Sequence, residues 1–134
     1  MTSPRGRLLV IDDEEDVRDM LEFILAREGF EVVTVDSGLA AIEVARARTF
    51  DLAITDMKMP GINGIETLTA LKQIDTSMEV VVVTGYASEQ TAAECMKRGA
   101  YGYLTKPFEL ADLLPLIGGA LARRTATNGD GADA

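Results

Sequence analysis

The amino-acid sequence predicts an α/β domain in which a five-stranded parallel β-sheet carries helices on both faces. Short aliphatic runs alternate five times along the 134-residue chain with longer segments whose apolar residues recur at helical spacing. The first four runs are continuously apolar, as expected for strands that are covered on both sides. This alternation of strand and helix is typical of a parallel sheet between two layers of helices.

The positions of the elements follow from these patterns. Strands are predicted at residues 8–11, 32–35, 52–54, 80–83 and 102–104. Helices are predicted at residues 14–28, 39–48, 64–74, 88–98 and 109–123. One domain over residues 7–124 accounts for all ten elements, and we expect residues 1–6 and 125–134 to be flexible ends.

The first helix shows the helical pattern most clearly. Its apolar residues fall on one stripe at Val17, Met20, Leu21, Ile24 and Leu25. Acidic residues open the segment, where they favour the positive end of the helix dipole. Gly29 follows it, which predicts a left-handed C-cap.

The fourth helix ends before Gly99, and the fifth contains a conflict. Pro115 lies inside it, and proline cannot donate a backbone hydrogen bond to Ala111. We therefore expect either a late start near Leu113, with Asp112 as N-cap, or a kink around residues 110–114.

Composition excludes several classes of function. The net charge of −9 opposes direct nucleic-acid binding. The chain has no histidine and one cysteine, which excludes His-based metal sites, His-dependent triads and an internal disulfide. The longest aliphatic stretch, residues 80–83, is too short for a membrane span, and we expect a cytoplasmic protein.

Polar residues follow the predicted strands at their carboxyl ends, where parallel sheets bind ligands. Asp12 and Asp13 follow the first strand, Asp56 the third, Thr84 the fourth and Lys106 the fifth. Each has an ordinary explanation alone: a helix cap, two turn residues or a solvated charge. Together they favour one site.

The chemistry of such a site is specific. Clustered carboxylates require a bound divalent cation or a partial proton, and oxygen ligands without His or Cys favour Mg²⁺. An aspartate is a competent nucleophile toward phosphorus. Phosphoryl transfer then needs mainly positioning and charge neutralisation, which a metal ion, an ammonium group and a hydroxyl supply.

Four segments resemble the receiver domains of bacterial two-component response regulators. They are LVIDDE (9–14), TDMKMPG (55–61), VTGY (83–86) and YLTKPF (103–108), and the similarity extends over residues 7–123. The amino-acid sequences of residues 84–88 and 99–103 are similar to those in the receivers of NtrC-type transcriptional activators.

The resemblance implies a doubly wound, flavodoxin-like sheet of strand order 2-1-3-4-5. It also implies that Asp56 is the phosphoacceptor. Asp13, the Asp56 carboxylate and the Lys58 carbonyl would bind Mg²⁺, with Asp12 acting through water.

Further roles follow from the same resemblance. Thr84 and Tyr103 would form the switch pair, and Lys106 would pair with the phosphoryl group next to a cis peptide bond to Pro107. The variable positions Lys58 and Tyr86 would tune the lifetime of the aspartyl-phosphate, and we expect Tyr86→Ala to shorten it.

The implied function is regulatory rather than enzymatic. A sensor histidine kinase or phosphotransfer protein would donate the phosphoryl group, and a downstream protein, an output domain or a second copy of the chain would respond. The closing residues 125–134 favour a stand-alone receiver.

Three rivals remain open. A magnesium-dependent phosphatase would place its nucleophile in an Asp-x-Asp pattern after the first strand, which residues 12–15 do not match. A flavin-binding protein would need a Ser/Thr/Gly-rich phosphate loop there. A degenerate receiver would lack some of the acids, the Thr or the Lys.

Overall fold

The computed structural model describes residues 5–85 and 88–133, with side chains described as far as residue 125. The strands are β1 (Arg7–Ile11), β2 (Glu31–Val35), β3 (Leu52–Thr55), β4 (Glu79–Thr84) and β5 (Gly102–Thr105). The helices are α1 (Glu15–Arg27), α2 (Gly38–Ala47), α3 (Gly64–Ile74), α4 (Glu89–Lys97) and α5 (Leu110–Asp133). Tyr86, for which an effect on phosphoryl lifetime is predicted, lies outside the described residues.

The five strands form one parallel sheet in the order β2-β1-β3-β4-β5. The predicted doubly wound α/β class and strand order are confirmed. The chain moves from β1 outward to β2 on one side and then continues with β3 on the other side of β1. The carboxyl ends of β1 and β3 therefore lie side by side, with Ile11 paired to Thr55. This is the place where an open parallel sheet forms a ligand crevice.

Alternate residues of each central strand pack into two different cores. Leu9 and Ile11 face a cluster with α2, α3 and α4, whereas Leu8 and Val10 face a cluster with α1 and α5. Each fully buried aliphatic side chain contributes about 1.5–3 kcal/mol to folding. The continuous apolar strands of the sequence are thus explained by two covered faces.

Local signals place the helix ends. Ser37 and Ser88 cap α2 and α4 by accepting hydrogen bonds from backbone N–H groups. Asn63 and Glu66 form a reciprocal capping box at the start of α3. Gly29 has a φ of 97°, which confirms the predicted left-handed residue after α1.

The expected late start of α5 is wrong. The helix begins at Leu110, and Asp112 is not its N-cap: the Asp112 carboxylate accepts a hydrogen bond from the backbone N–H of Glu109. The missing donor of Pro115 is tolerated because Pro115 and Ala111 both lie on the exposed side of the helix. The alternative of a kink at residues 110–114 stays a prediction.

The end of α5 also differs from expectation. The helix continues to Asp133, past the predicted end at residue 123, so the backbone of most of the expected flexible tail is helical. Arg123 and Arg124 tie this part of α5 to the opposite end of the sheet from the acids, through ion pairs to Glu79 and Asp51. Within the described part of the chain, no helix is long and apolar enough to cross a membrane.

Candidate functional site

Three carboxylates meet at the carboxyl ends of β1 and β3. Asp12 and Asp13 directly follow β1, and Asp56 directly follows β3. One oxygen from each lies within 4.8 Å of the others. Asp12 and Asp56 are 3% and 8% exposed, whereas Asp13 is exposed. The predicted cluster therefore forms, with two of its three acids withdrawn from water.

Lys106 completes the site from the end of β5. Its Nζ lies 2.8 Å from Asp12 Oδ2 and 3.2 Å from Asp56 Oδ2, so one ammonium bridges two acids. Burial alone lowers the pKa of Lys106, but the hydrogen bonds and charges of Asp12 and Asp56 together raise it above the ordinary lysine value. The Lys106–Pro107 peptide bond is cis, as predicted.

Backbone groups fix the two buried acids. Asp12 Oδ1 accepts from the Glu14 N–H at 2.9 Å, and Asp56 Oδ1 accepts from the Met57 N–H at 2.7 Å. The backbone N–H of Asp56 donates to the carbonyl of Ile11 across the two strands. Each acid is thus held by its own loop and by Lys106.

The sequence reasoning missed the importance of Gly64. A Cβ on this residue would lie 2.4 Å from the carbonyl oxygen of Asp56 and 2.7 Å from Met57 Cα. Its N–H donates to the Met57 carbonyl at 2.8 Å, so the start of α3 rests directly on the loop that carries Asp56. A glycine at the first position of the predicted third helix was the available signal.

The predicted switch residues lie on neighbouring strands. Thr84 ends β4 with no exposed surface, and its carbonyl accepts from the Lys106 N–H at 2.8 Å. Tyr103 lies on β5, half-buried against the core cluster that contains Cys95. Burial raises the pKa of the Tyr103 phenol, and the negative charge of a Cys95 thiolate would raise it further. A hydrogen bond with the Ser88 backbone lowers the same pKa by a smaller amount.

The ordinary explanations of two residues can now be judged. Asp13 does not cap α1, since the N-cap is Glu14 and makes no side-chain cap bond. Lys106 is not merely solvated, since it joins two acids. Lys58 is exposed in the loop after β3, and its role as a backbone metal ligand stays a prediction.

The donor set fits a hard divalent cation. Three carboxylates supply up to six oxygen atoms, and Mg²⁺ favours oxygen ligands with one or two carboxylates plus waters. The exposed carboxylate of Asp13 leaves one side of the cluster open to solvent and to an incoming group. Such a site suits transfer of a phosphoryl group to a carboxylate.

Comparison with known proteins agrees with this chemistry. The family described as "Response regulator receiver domain" matches residues 8–117. The transcriptional regulatory protein ZraR of Klebsiella oxytoca is 36% identical over 122 residues, which cover 91% of this chain and 28% of that protein.

Solved receiver structures share the fold. A response regulator receiver domain protein from Clostridium thermocellum has a TM-score of 0.83 at 35% identity, covering 91% of this chain and 98% of that one. The beryllofluoride-activated NtrC4 receiver domain dimer has a TM-score of 0.84 at 32% identity, covering 88% and 98%. By contrast, the chain spans between about a quarter and just over half of the length of the curated relatives that it matches.

Proposed function

Because this chain belongs to the family of response regulator receiver domains, we propose that it is the phosphoacceptor of a two-component system. A sensor histidine kinase or phosphotransfer protein donates a phosphoryl group to Asp56, with the help of Mg²⁺. The observation that carries the proposal is the cluster of Asp12, Asp13 and Asp56 within 4.8 Å, with Lys106 bridging two of them.

In the transfer, a carboxylate oxygen of Asp56 attacks the phosphorus of a phosphohistidine. The new P–O bond forms as the P–N bond breaks, and the imidazole leaves with the electron pair of that bond. Asp56 suits the role because it is buried at the carboxyl end of β3, with one oxygen held by the Met57 N–H. Its fixed orientation lowers the entropic cost of attack.

Mg²⁺ would be held directly by the carboxylates of Asp13 and Asp56 and by the backbone carbonyl of Lys58. Asp12 would contribute through water. Bound there, the ion would neutralise charge on the phosphoryl oxygens. Lys106 offers a second positive charge once it releases Asp56, and the Thr84 hydroxyl offers a hydrogen bond. The ends of β3, β4 and β5 would then contact one phosphoryl group, and the end of β1 would act on it through the ion.

The test is covalent labelling with acetyl phosphate and Mg²⁺, read by intact mass. We expect the wild-type protein to gain one acid-labile phosphoryl group and Asp56→Asn to gain none. Asp36→Asn is the matched control, because Asp36 is an exposed acid that follows β2 at the same edge of the sheet. Equal labelling of the wild type and Asp56→Asn would remove Asp56 as the acceptor, and turnover of many small phosphate esters would favour the phosphatase.

Phosphorylation would be read out through Thr84 and Tyr103. A new charge at Asp56 changes the exterior only by biasing an element that has two states. The element best suited is α4, in which Cys95 is the one residue that is fully withdrawn from water. Tyr103 contacts the cluster that holds Cys95, which links the site to α4.

We therefore expect amide hydrogen exchange to change in α4, β5 and the start of α5 when Asp56 is phosphorylated. The matched sample is Asp56→Asn under the same conditions. If the changes stay within the loops that carry Asp13 and Asp56, the proposed switch is not the route of the signal.

The responding partner is proposed to be a protein. The charge of −9 opposes direct contact with nucleic acid, even though curated relatives are transcriptional regulatory proteins. A downstream protein or output domain fits this charge. A homodimer is a further candidate, and the NtrC4 receiver domain was solved as a dimer in its activated form.

A further inference from the structure

A side chain of α1 donates a hydrogen bond to the peptide group between Asp12 and Asp13. Arg18, in the first turns of that helix, donates from Nη1 to the backbone carbonyl of Asp12 at 2.8 Å. The side chain of Arg18 is half-buried, and its own backbone N–H continues the helix to Glu14. A guanidinium hydrogen bond to a carbonyl is charge-assisted and therefore among the stronger neutral-acceptor contacts.

The three acids differ in how their carboxylates are fixed. Those of Asp12 and Asp56 accept hydrogen bonds from Lys106 and from backbone N–H groups. For the exposed Asp13 carboxylate, the described residues provide no hydrogen bond and no ion pair. Its position within the cluster is therefore set by the backbone that carries it.

That backbone is the peptide plane which Arg18 contacts. The Asp12 carbonyl and the Asp13 N–H belong to one rigid planar unit that ends at the Asp13 Cα. Fixing the carbonyl direction therefore also fixes the position of the Cα from which the Asp13 carboxylate extends. We infer that Arg18 is a positioning residue for Mg²⁺ binding, which aims the Asp13 carboxylate at Asp56 through the Asp12–Asp13 peptide. This inference rests on the proposed magnesium site.

The sign of one measurement separates this role from a simple charge effect. A cation near the cluster repels Mg²⁺, so deletion of the Arg18 charge alone would strengthen binding. Loss of the group that aims a ligand instead weakens metal binding, typically by about 10–100-fold. The two effects act in opposite directions.

The experiment is a Mg²⁺ titration followed by backbone amide shifts in NMR, on wild type, Arg18→Met and Arg18→Lys. We expect Arg18→Met to raise the dissociation constant by roughly tenfold, the lower end of that range because the opposing charge effect is also removed. Arg18→Lys, which keeps a donor and a charge, should recover most of the loss. Arg18→Ala, which also removes both the donor and the charge, gives the same direction of change if Arg18→Met does not fold.

Arg27→Met is the matched control, since it removes the same charge from an exposed position later in α1. Its dissociation constant should equal that of the wild type or fall slightly. Unchanged or tighter binding by Arg18→Met, or equal weakening by Arg27→Met, would overturn the inference. Absence of Mg²⁺ binding to the wild type would instead overturn the proposed metal site itself.

Discussion

Replacement of Lys106 by methionine removes the ammonium group that bridges Asp12 and Asp56 while keeping much of its aliphatic length. The two carboxylates then face each other, and Asp13, without that charge between them. Carboxylates at such distances repel, and the nearly dry surroundings of two of them strengthen the repulsion. We therefore expect the variant to be less stable than the wild type when no divalent cation is present.

The magnitude follows from the burial of the group. Loss of one partner from a fully buried ion pair costs about 3–5 kcal/mol. The Lys106 side chain is 19% exposed, so water reaches the site, and one acid can take up a proton to relieve the repulsion. We therefore expect Lys106→Met to lower the free energy of unfolding by about 2–3 kcal/mol. For a domain of this size, that lowers the melting temperature by about 10 °C.

The assay is thermal unfolding at pH 7.5 in EDTA, repeated with Mg²⁺. Lys97→Met is the control, because Lys97 is an exposed lysine at the end of α4. Mg²⁺ should stabilise Lys106→Met more than wild type, since the ion no longer competes with Lys106 for Asp12 and Asp56. A stability equal to that of Lys97→Met, or an equal gain from Mg²⁺ in variant and wild type, would refute the reasoning.

The same ion pair predicts a pH dependence. The pKa of Lys106 is raised in the folded state above its ordinary value of 10.5. Its stabilisation is therefore fully present below the unfolded-state pKa and is lost as the pH rises through the folded-state pKa. The difference in unfolding free energy between wild type and Lys106→Met should stay constant near neutral pH and shrink above about pH 10.5.

Three further predictions concern the other elements. Gly118→Ala should stabilise the protein by about 1 kcal/mol in urea unfolding, because alanine favours the helix and its Cβ meets open space. Gly119→Ala should not show this gain, because its Cβ would lie 2.2 Å from the Tyr101 hydroxyl. Equal gains in the two variants would contradict the packing argument. Tyr103→Phe should remove from the high-pH absorbance titration a phenol whose pKa lies above the usual tyrosine value. If the phenol that disappears in the variant instead has the usual tyrosine pKa, the argument from burial is contradicted. Amide exchange should be faster in α5, which contains Pro115, than in α1; slower exchange in α5 would contradict this.

Most of the fold could be predicted because the signals are local. Continuous apolar runs fixed the strands, and the stripe of Leu21 and Leu25 fixed the buried face of α1, which the structure places against the sheet. Gly29 marked the end of the same helix correctly. These patterns depend on backbone conformation and burial, which neighbouring residues determine together.

The start of α5 could not be predicted because it depends on which side of the helix faces water. Pro115 is costly when the carbonyl four residues earlier is buried, but here Ala111 is exposed. Packing of Leu113 and Ile117 against the sheet stabilises the first turns despite the missing hydrogen bond. The sequence pattern gave the position of the proline without its orientation.

The candidate site divides in the same way. The sequence identified Asp12, Asp13, Asp56 and Lys106, because each follows a strand and parallel strands end at one edge. It did not indicate that Lys106 bridges Asp12 and Asp56 rather than Asp13, or that Arg18 holds a backbone carbonyl. The Lys106 contacts join residues 94 and 50 positions apart in the chain. The Arg18 contact joins residues only six positions apart, but it depends on which way a surface side chain of α1 turns.

By itself, therefore, the sequence determined the elements, their parallel arrangement and the residue types gathered at one edge of the sheet. The tertiary structure alone decided which acids are buried, where Lys106 rests and how closely Gly64 approaches Asp56. The physical reason is range: hydrophobic periodicity and caps act within a few residues, whereas burial and ion pairing depend on distances between separate strands and helices.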